Sequence, residues 1–251
     1  MKLRHLSPLS LLALAIALTG VGAGSMTTPI LIVFLRVPPA VAVGTSLVFG
    51  AVVKVVAIPT YAWRRQVNAR LLTLLLAGGI PGVLIGSVAL NKLKNGPHQA
   101  LLYTALGLII AATAAFRLYR TYRPKRQTAL TPDKSRWLPW LAFPIGAEVG
   151  FSSAGAGALG SLILLAFKNL TAAEVIGTDL CFGLGLSAVG SFIQVGAGNY
   201  DAALLLQLVI GGIAGAITGS VLAGRIAQRP LRVTLLVALI VLGFQLALHR
   251  A

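Results

Sequence analysis

A chain of 251 residues that is 57% hydrophobic and only 10% charged, with a mean hydropathy of +0.89, stands far from the roughly 25% charged content of soluble domains, and a water-soluble fold is excluded. Its formal charge of +16, from 21 Lys and Arg against 5 Asp and Glu, does not mark a nucleic-acid partner, because the basic residues lie in short segments between apolar runs and form no soluble basic face. They follow the positive-inside pattern of membrane proteins instead.

The chain opens on an imitation of a secretory signal: Lys2 and Arg4, then the apolar core LLALAIAL, then small residues up to Met26. The same pattern returns in mid-chain, so the segment is expected to be a retained short helix over 7 to 22. A glycine-rich break follows, Gly20 to Pro29, and then a very short apolar piece, 27 to 36. Three runs over 40 to 62, 69 to 90 and 98 to 116 approach or exceed the roughly 20 apolar residues that a spanning helix needs. Residues 118 to 136 are basic, contain prolines and are not apolar; they read as a cytoplasmic linker. The order then repeats, with short pieces at 137 to 153 and 158 to 168 and spans at 173 to 196, 202 to 223 and 231 to 248.

A shift of 133 positions aligns the halves without a gap. Gly22-Ala23-Gly24 falls on Gly155-Ala156-Gly157, Gly44-Thr45 on Gly177-Thr178, Phe49 on Phe182, Gly78-Gly79-Ile80 on Gly211-Gly212-Ile213, and Pro97 on Pro230. The expected organisation is a first transmembrane repeat over 1–117, the linker over 118–136 and a second repeat over 137–251. Each repeat is all-α and holds a broken, half-length helix pair plus three full spans. At about 1.5 Å per residue a ten-residue helix crosses only half of a roughly 30 Å hydrocarbon core. Irregular backbone at that depth survives only inside protein or along a polar cavity. Matched short segments in two repeats are therefore pointers to a transporter binding site.

Repeats that cross an odd number of times are inverted, and repeats that cross four times are parallel. Arg64, Arg65 and Arg70 lie in a loop whose counterpart, 196 to 203, holds Asp201 and no basic residue, which favours inversion. The loop of Lys92 and Lys94 argues the other way, because its counterpart carries Arg225 and Arg229. Inversion is the expectation, and it places Lys54 and Asp179 at similar depth, paired directly or facing one polar cavity.

Polar groups inside apolar segments are Lys54, Glu148, Asp179, Gln194 and Gln207. An intramembrane ionisable residue is a functional candidate by default, although Lys54 and Asp179 could equally be a structural ion pair. Glu174 follows Leu170-Thr171 at the start of a span and suits the positive end of a helix dipole. The breaks offer Gly22, Gly24, Ser25, Thr27 and Thr28 in the first half and Ser152, Ser153, Gly155 and Gly157 in the second. Free N–H groups at helix starts bind anions, and Pro29 fits a helix's opening turn; close packing through small residues is the competing account. Thr45 and Ser46 lie in an early turn of one span, Thr178 and Asp179 in the same turn of its counterpart. Glu148 or Asp179 would serve proton coupling. The Gly78-Gly79 and Gly82-Gly86 series reads as helix packing.

Enzymatic chemistry has little to stand on. His5, His98 and His249 lie at segment ends, Cys181 is alone, and there is no Walker motif. No metal or cofactor is called for.

The glycine-rich break ending at Pro29, then Ala42-Val43-Gly44-Thr45-Ser46, then Gly78-Gly79-Ile80-Pro81-Gly82-Val83-Leu84-Ile85-Gly86, each with a second-half copy, resemble the sulfite exporter TauE/SafE family over nearly the whole chain. The resemblance implies a multi-pass permease of the cell inner membrane for small sulfur oxyanions and organosulfonates, such as sulfite or sulfoacetate. It carries only the glycine breaks and the Gly-Thr pairs over as site-lining segments; Lys54, Asp179 and Glu148 are chosen on physical grounds. The expected partners are a small anionic substrate and the lipid bilayer, and a homodimer is compatible with the sequence. Two other readings stay open: a permease or channel for another solute, for instance a cation drawn to Glu148 and Asp179, and a membrane accessory protein without transport.

Overall fold

The computed structural model describes residues 23–94, 99–122, 132–154, 159–165, 167, 170–223 and 228–248. The piece expected over 7 to 22, with Gly22, and Gly155 and Gly157 of the second break lie outside the described residues, as do the side chains of Gly24 and Ser25.

Every element among the described residues is helical. Helix α1, Ala23–Val33, is 11 residues long and spans about 16 Å. Its described residues start within the glycine break, so Pro29 lies within the helix and not in its opening turn. Proline has no N–H, so the bond that would reach back to Ser25 is absent. The helix stops where Arg36 takes a φ of 52° and Pro38 restricts the chain. Pro39 then opens α2, Pro39–Trp63, at a position where a missing N–H does no harm. Helix α3, Ala69–Lys94, starts with Asn68 Oδ1 accepting from the Leu71 amide at 3.1 Å and ends on Lys92 and Lys94, cations suited to the negative end of the dipole.

Helix α4 is Gln99–Tyr122, so Leu118 to Tyr122, assigned above to the linker, are helical. Basic and aromatic residues misled that boundary, yet they suit a helix emerging at a membrane interface: Tyr119 and Tyr122 are exposed, and the Arg120 guanidinium lies 5.6 Å from the Phe116 ring centroid. A 3-10 turn at Pro132–Trp137 leads into α5, Leu138–Ser152, which ends where Ser153 adopts a left-handed φ of 59°. Helix α6, Leu159–Leu164, has 6 residues. Helix α7, Ala172–Gly196, opens with a capping box: the Thr171 hydroxyl accepts from the Glu174 amide at 3.2 Å, and Glu174 accepts from the Thr171 amide at 2.8 Å. Glu174 is thus a helix cap. Helix α8, Ala202–Ala223, is capped by Asp201 Oδ1, which accepts from Ala203 and Leu204. Helix α9 is Gln228–Leu248. By length and composition α2, α3, α4 and α7 can each cross a membrane.

Glycines set the packing. Along α3, Gly78 touches the Pro139 backbone, Gly82 that of Phe143 and Ala147, and Gly86 that of Ala147 and Phe151, so α3 and α5 run the same way in backbone contact. Helices α4 and α9 cross antiparallel where Gly107 meets Gly243 and Ala247. Helices α2 and α7 are also antiparallel. Gly44 lies against Gln194 and the Asn199 carbonyl, Lys54 against Gly183, and Gly177 against Tyr61 and the Gln66 carbonyl.

Many contacts come in exchanged pairs at positions 133 apart. The Asp201 amide donates to Thr45 Oγ1 at 3.1 Å, and the Asn68 amide donates to Thr178 Oγ1 at 2.9 Å. Gly79 packs on Phe182, and Gly212 on Phe49.

Candidate functional site

Lys54 sits near the middle of α2, where α7 crosses it, and only 5% of it is exposed. A charge at that depth must find polar partners within the protein. Its Nζ donates to the Gly50 carbonyl at 3.3 Å and to Ser187 Oγ at 3.2 Å. Gly183 makes the room: a Cβ there would come within 2.8 Å of Lys54 Cε. Asp179, Gly183 and Ser187 are spaced by four and line one face of α7, so the face that receives Lys54 also carries the carboxylate.

Asp179 is likewise 5% exposed, and its charge acts on Lys54. The two are not directly bonded. The Asp179 carboxylate leans instead on the start of α6, where it accepts from the Ser161 amide and where a Cβ on Gly160 would collide with Oδ1. Oδ1 has no hydrogen-bond partner among the described residues, and neither does the fully buried Ser46 Oγ, which occupies the equivalent position on α2.

The two glycine breaks meet through their hydroxyls. Thr28 Oγ1 and Ser153 Oγ lie 2.5 Å apart, and Thr27, Thr28, Ser152 and Ser153 are all buried. Ser152 Oγ donates to the Glu148 carbonyl at 3.0 Å and accepts from the Ala154 amide at 3.3 Å, which holds the chain as it leaves α5. Thr28→Val and Ser153→Ala should each destabilise the protein, and the double variant should cost less than their sum, with a coupling of about 0.6 to 1 kcal/mol. Strict additivity in a denaturation cycle would show that the contact contributes nothing.

Glu148 faces elsewhere. The Thr113 hydroxyl of α4 donates to its Oε1, and both line a groove of about 480 Å³ with Gly86, Ala89, Ile109 and Ala147. Arg117, one turn beyond Thr113, is buried, and its charge acts on Glu148 and on Asp179. The sequence reading missed Arg117 because it ended that span at 116. The signal was the i, i+4 relation of Thr113 and Arg117 on one helix face. Thr45 and Thr178 are drawn apart, to opposite ends of the α2–α7 pair, where their hydroxyls accept the loop amides of Asp201 and Asn68. Among the described residues no cluster of His, Cys, Asp and Glu could hold a metal.

The sulfite exporter TauE/SafE family matches residues 9–246 of the chain. The chain is similar to the probable membrane transporter protein YjnA of Bacillus subtilis (strain 168), with 30% identity over 239 residues, covering 92% of this chain and 94% of that one. It is also similar to a probable membrane transporter protein of Xylella fastidiosa (strain 9a5c), with 26% identity over 216 residues, covering 82% of this chain and 78% of the relative. No solved structure matches the chain.

Proposed function

This chain belongs to the sulfite exporter TauE/SafE family, and from that premise we propose that it moves a small sulfur oxyanion or organosulfonate, such as sulfite or a sulfoacetate-like acid, across the inner (plasma) membrane by alternating access. The observation that carries the reading is the Lys54 ammonium, buried at the crossing of α2 and α7 and bonded to two neutral oxygens. A cation so placed gains from an anion beside it, because its direct partners are neutral and the Asp179 carboxylate that acts on it is not bonded to it. The hydroxyls of Thr27, Thr28, Ser152 and Ser153 and the backbone of the two breaks would complete the anion's shell.

The halves act as inverted repeats in this reading. Its support is the antiparallel course of α2 against α7 and of α4 against α9, with the exchanged hydrogen bonds of Thr45 and Thr178. Arg64, Arg65, Arg70, Arg120 and Arg136 then gather on the linker's face, the cytoplasmic one. Glu148 and Asp179 are the carboxylates available for proton coupling.

The test is flux in proteoliposomes with sulfite, sulfoacetate, sulfate and chloride, with and without a pH gradient. Uptake of the sulfur anions should respond to the gradient in the wild type and lose that response in Glu148→Gln, which holds the side chain neutral. A response unchanged by the substitution removes Glu148 from the mechanism. Flux of cations alone would overturn the anion reading.

A further inference from the structure

Where α3 and α7 end and α8 begins, four polar side chains form a network that the mechanism above leaves unused. Lys94 Nζ donates to Asn199 Oδ1. Asn199 Nδ2 donates to Asn91 Oδ1 at 2.6 Å and to Gln194 Oε1 at 2.7 Å. Lys94 sets the direction of every bond, because an ammonium can only donate. It holds the Asn199 oxygen toward itself, which turns the Asn199 nitrogen to the other two amides, and these must then present oxygen. Each of the three amide oxygens accepts one bond in this way, and the N–H groups that the network leaves over belong to the ammonium, Asn91 Nδ2 and Gln194 Nε2. Gln194 is 0% exposed, and its Nε2 has no hydrogen-bond partner among the described residues. Native proteins rarely leave such a group unsatisfied.

The fold does not require this network. Under the shift of 133, Gln194, Asn199, Asn91 and Lys94 correspond to Tyr61, Gln66, Gly224 and Ala227, and the last two have no polar side chain with which to build it. That end of the α2–α7 pair is held by the contact of Gly177 with Gln66 and the bond from Asn68 to Thr178. The matching contacts of Gly44 and Thr45 are present at the network's own end as well, so the network is an addition to one face.

We infer that Lys94, Asn91 and Gln194 form a second anion site, a waypoint for a small oxyanion on the membrane face away from the basic linker; the inference rests on the anion-transport reading. The ammonium on one side of Asn199 and the Asn91 and Gln194 amides on the other offer three donors and one positive charge, which suit a small oxyanion and repel a cation. Asn91 and Lys94 are half-exposed and offer the approach, with the buried Gln194 amide at the inner end. Along α7, Gln194 is seven residues past Ser187, the partner of Lys54, so the two sites are about 10 Å apart along the axis.

The experiment is equilibrium binding of radiolabelled sulfite to the full chain in phosphatidylcholine nanodiscs. Lys94→Gln keeps a donor for Asn199 and removes the charge, Gln194→Glu exchanges the inner donor for an acceptor, and Lys54→Met reports on the central site. The wild type should bind a second sulfite per chain whose affinity falls at least about tenfold in Lys94→Gln and in Gln194→Glu. Binding sensitive to Lys54→Met should persist in both. Adding phosphatidylglycerol distinguishes the source of the oxyanion: competition at the Lys94-dependent site assigns it to a lipid headgroup, and no competition assigns it to the free anion. Should Gln194→Glu fail to fold, the half-exposed Lys94→Gln carries the test. Sulfite binding left unchanged by both variants overturns the second site alone, whereas a wild type that binds no sulfite overturns both it and the anion reading.

Discussion

Lys54→Met should lower sulfite flux at least about a hundredfold while the protein still inserts and folds. Removing a desolvated charge from a bound counter-ion commonly costs about 3 kcal/mol, which is about that factor. Met resembles Lys in length and fits the space over Gly183, but it leaves the Asp179 carboxylate buried without the cation whose charge acts on it, which costs stability, so the flux is read per folded, inserted molecule. Lys54→Arg should not rescue, because the guanidinium is wider and α7 already lies against the Lys54 stem at Gly183. Full sulfite flux in a folded Lys54→Met variant would end the role given to this residue.

The second large effect is on folding. In Gly82→Ala the new methyl meets backbone: the Phe143 carbonyl, the Ala147 nitrogen at 2.8 Å and the Gly146 carbonyl carbon at 3.1 Å. Backbone inside a helix cannot swing aside as a side chain does, so α3 and α5 must separate. Overpacking of this kind costs about 3 kcal/mol, and the displacement would carry Glu148, Ser152 and Ser153 with α5. Gly196→Ala is the matched control, since a Cβ there meets nothing within 4 Å; it should be neutral or stabilising by up to about 1 kcal/mol. Thermal unfolding in detergent separates the pair. Equal melting temperatures for Gly82→Ala and the wild type would mean that α3 and α5 do not touch as described.

Much of the helical plan could be read from the chain because a bilayer imposes a length rule on apolar runs. The α8 run, expected over 202 to 223, is Ala202–Ala223, and the two very short pieces correspond to the 11-residue α1 and the 6-residue α6. Boundaries failed where charge and apolarity mix. Arg117 lay just past the expected end of a span and Arg120 inside the expected linker, yet α4 continues through both to Tyr122. In the site, matching depths placed Lys54 and Asp179 near one level but could not choose a partner, because depth fixes the position along an axis and not the lateral direction of a side chain. The ammonium found Ser187, and the carboxylate found the backbone of α6. Thr45 and Thr178 were selected for their place in matched spans, while the use of their hydroxyls depends on loop amides from the other half of the chain, 156 and 110 residues away.

Those two threonine bonds have an energetic corollary. Thr45 with Asp201 and Thr178 with Asn68 are the same clasp built at opposite ends of one helix pair. If one clasp opens while the other stays shut, exchanging their states gives a second conformation with nearly the same inventory of bonds, and the two forms are close to isoenergetic. A two-state equilibrium of that kind is tilted only by what its ends do not share. One part that the ends do not share is the bridge of Lys94, Asn199, Asn91 and Gln194 at a single end. In such an equilibrium a few side chains at the rim would weigh on which form dominates, without a change at the centre.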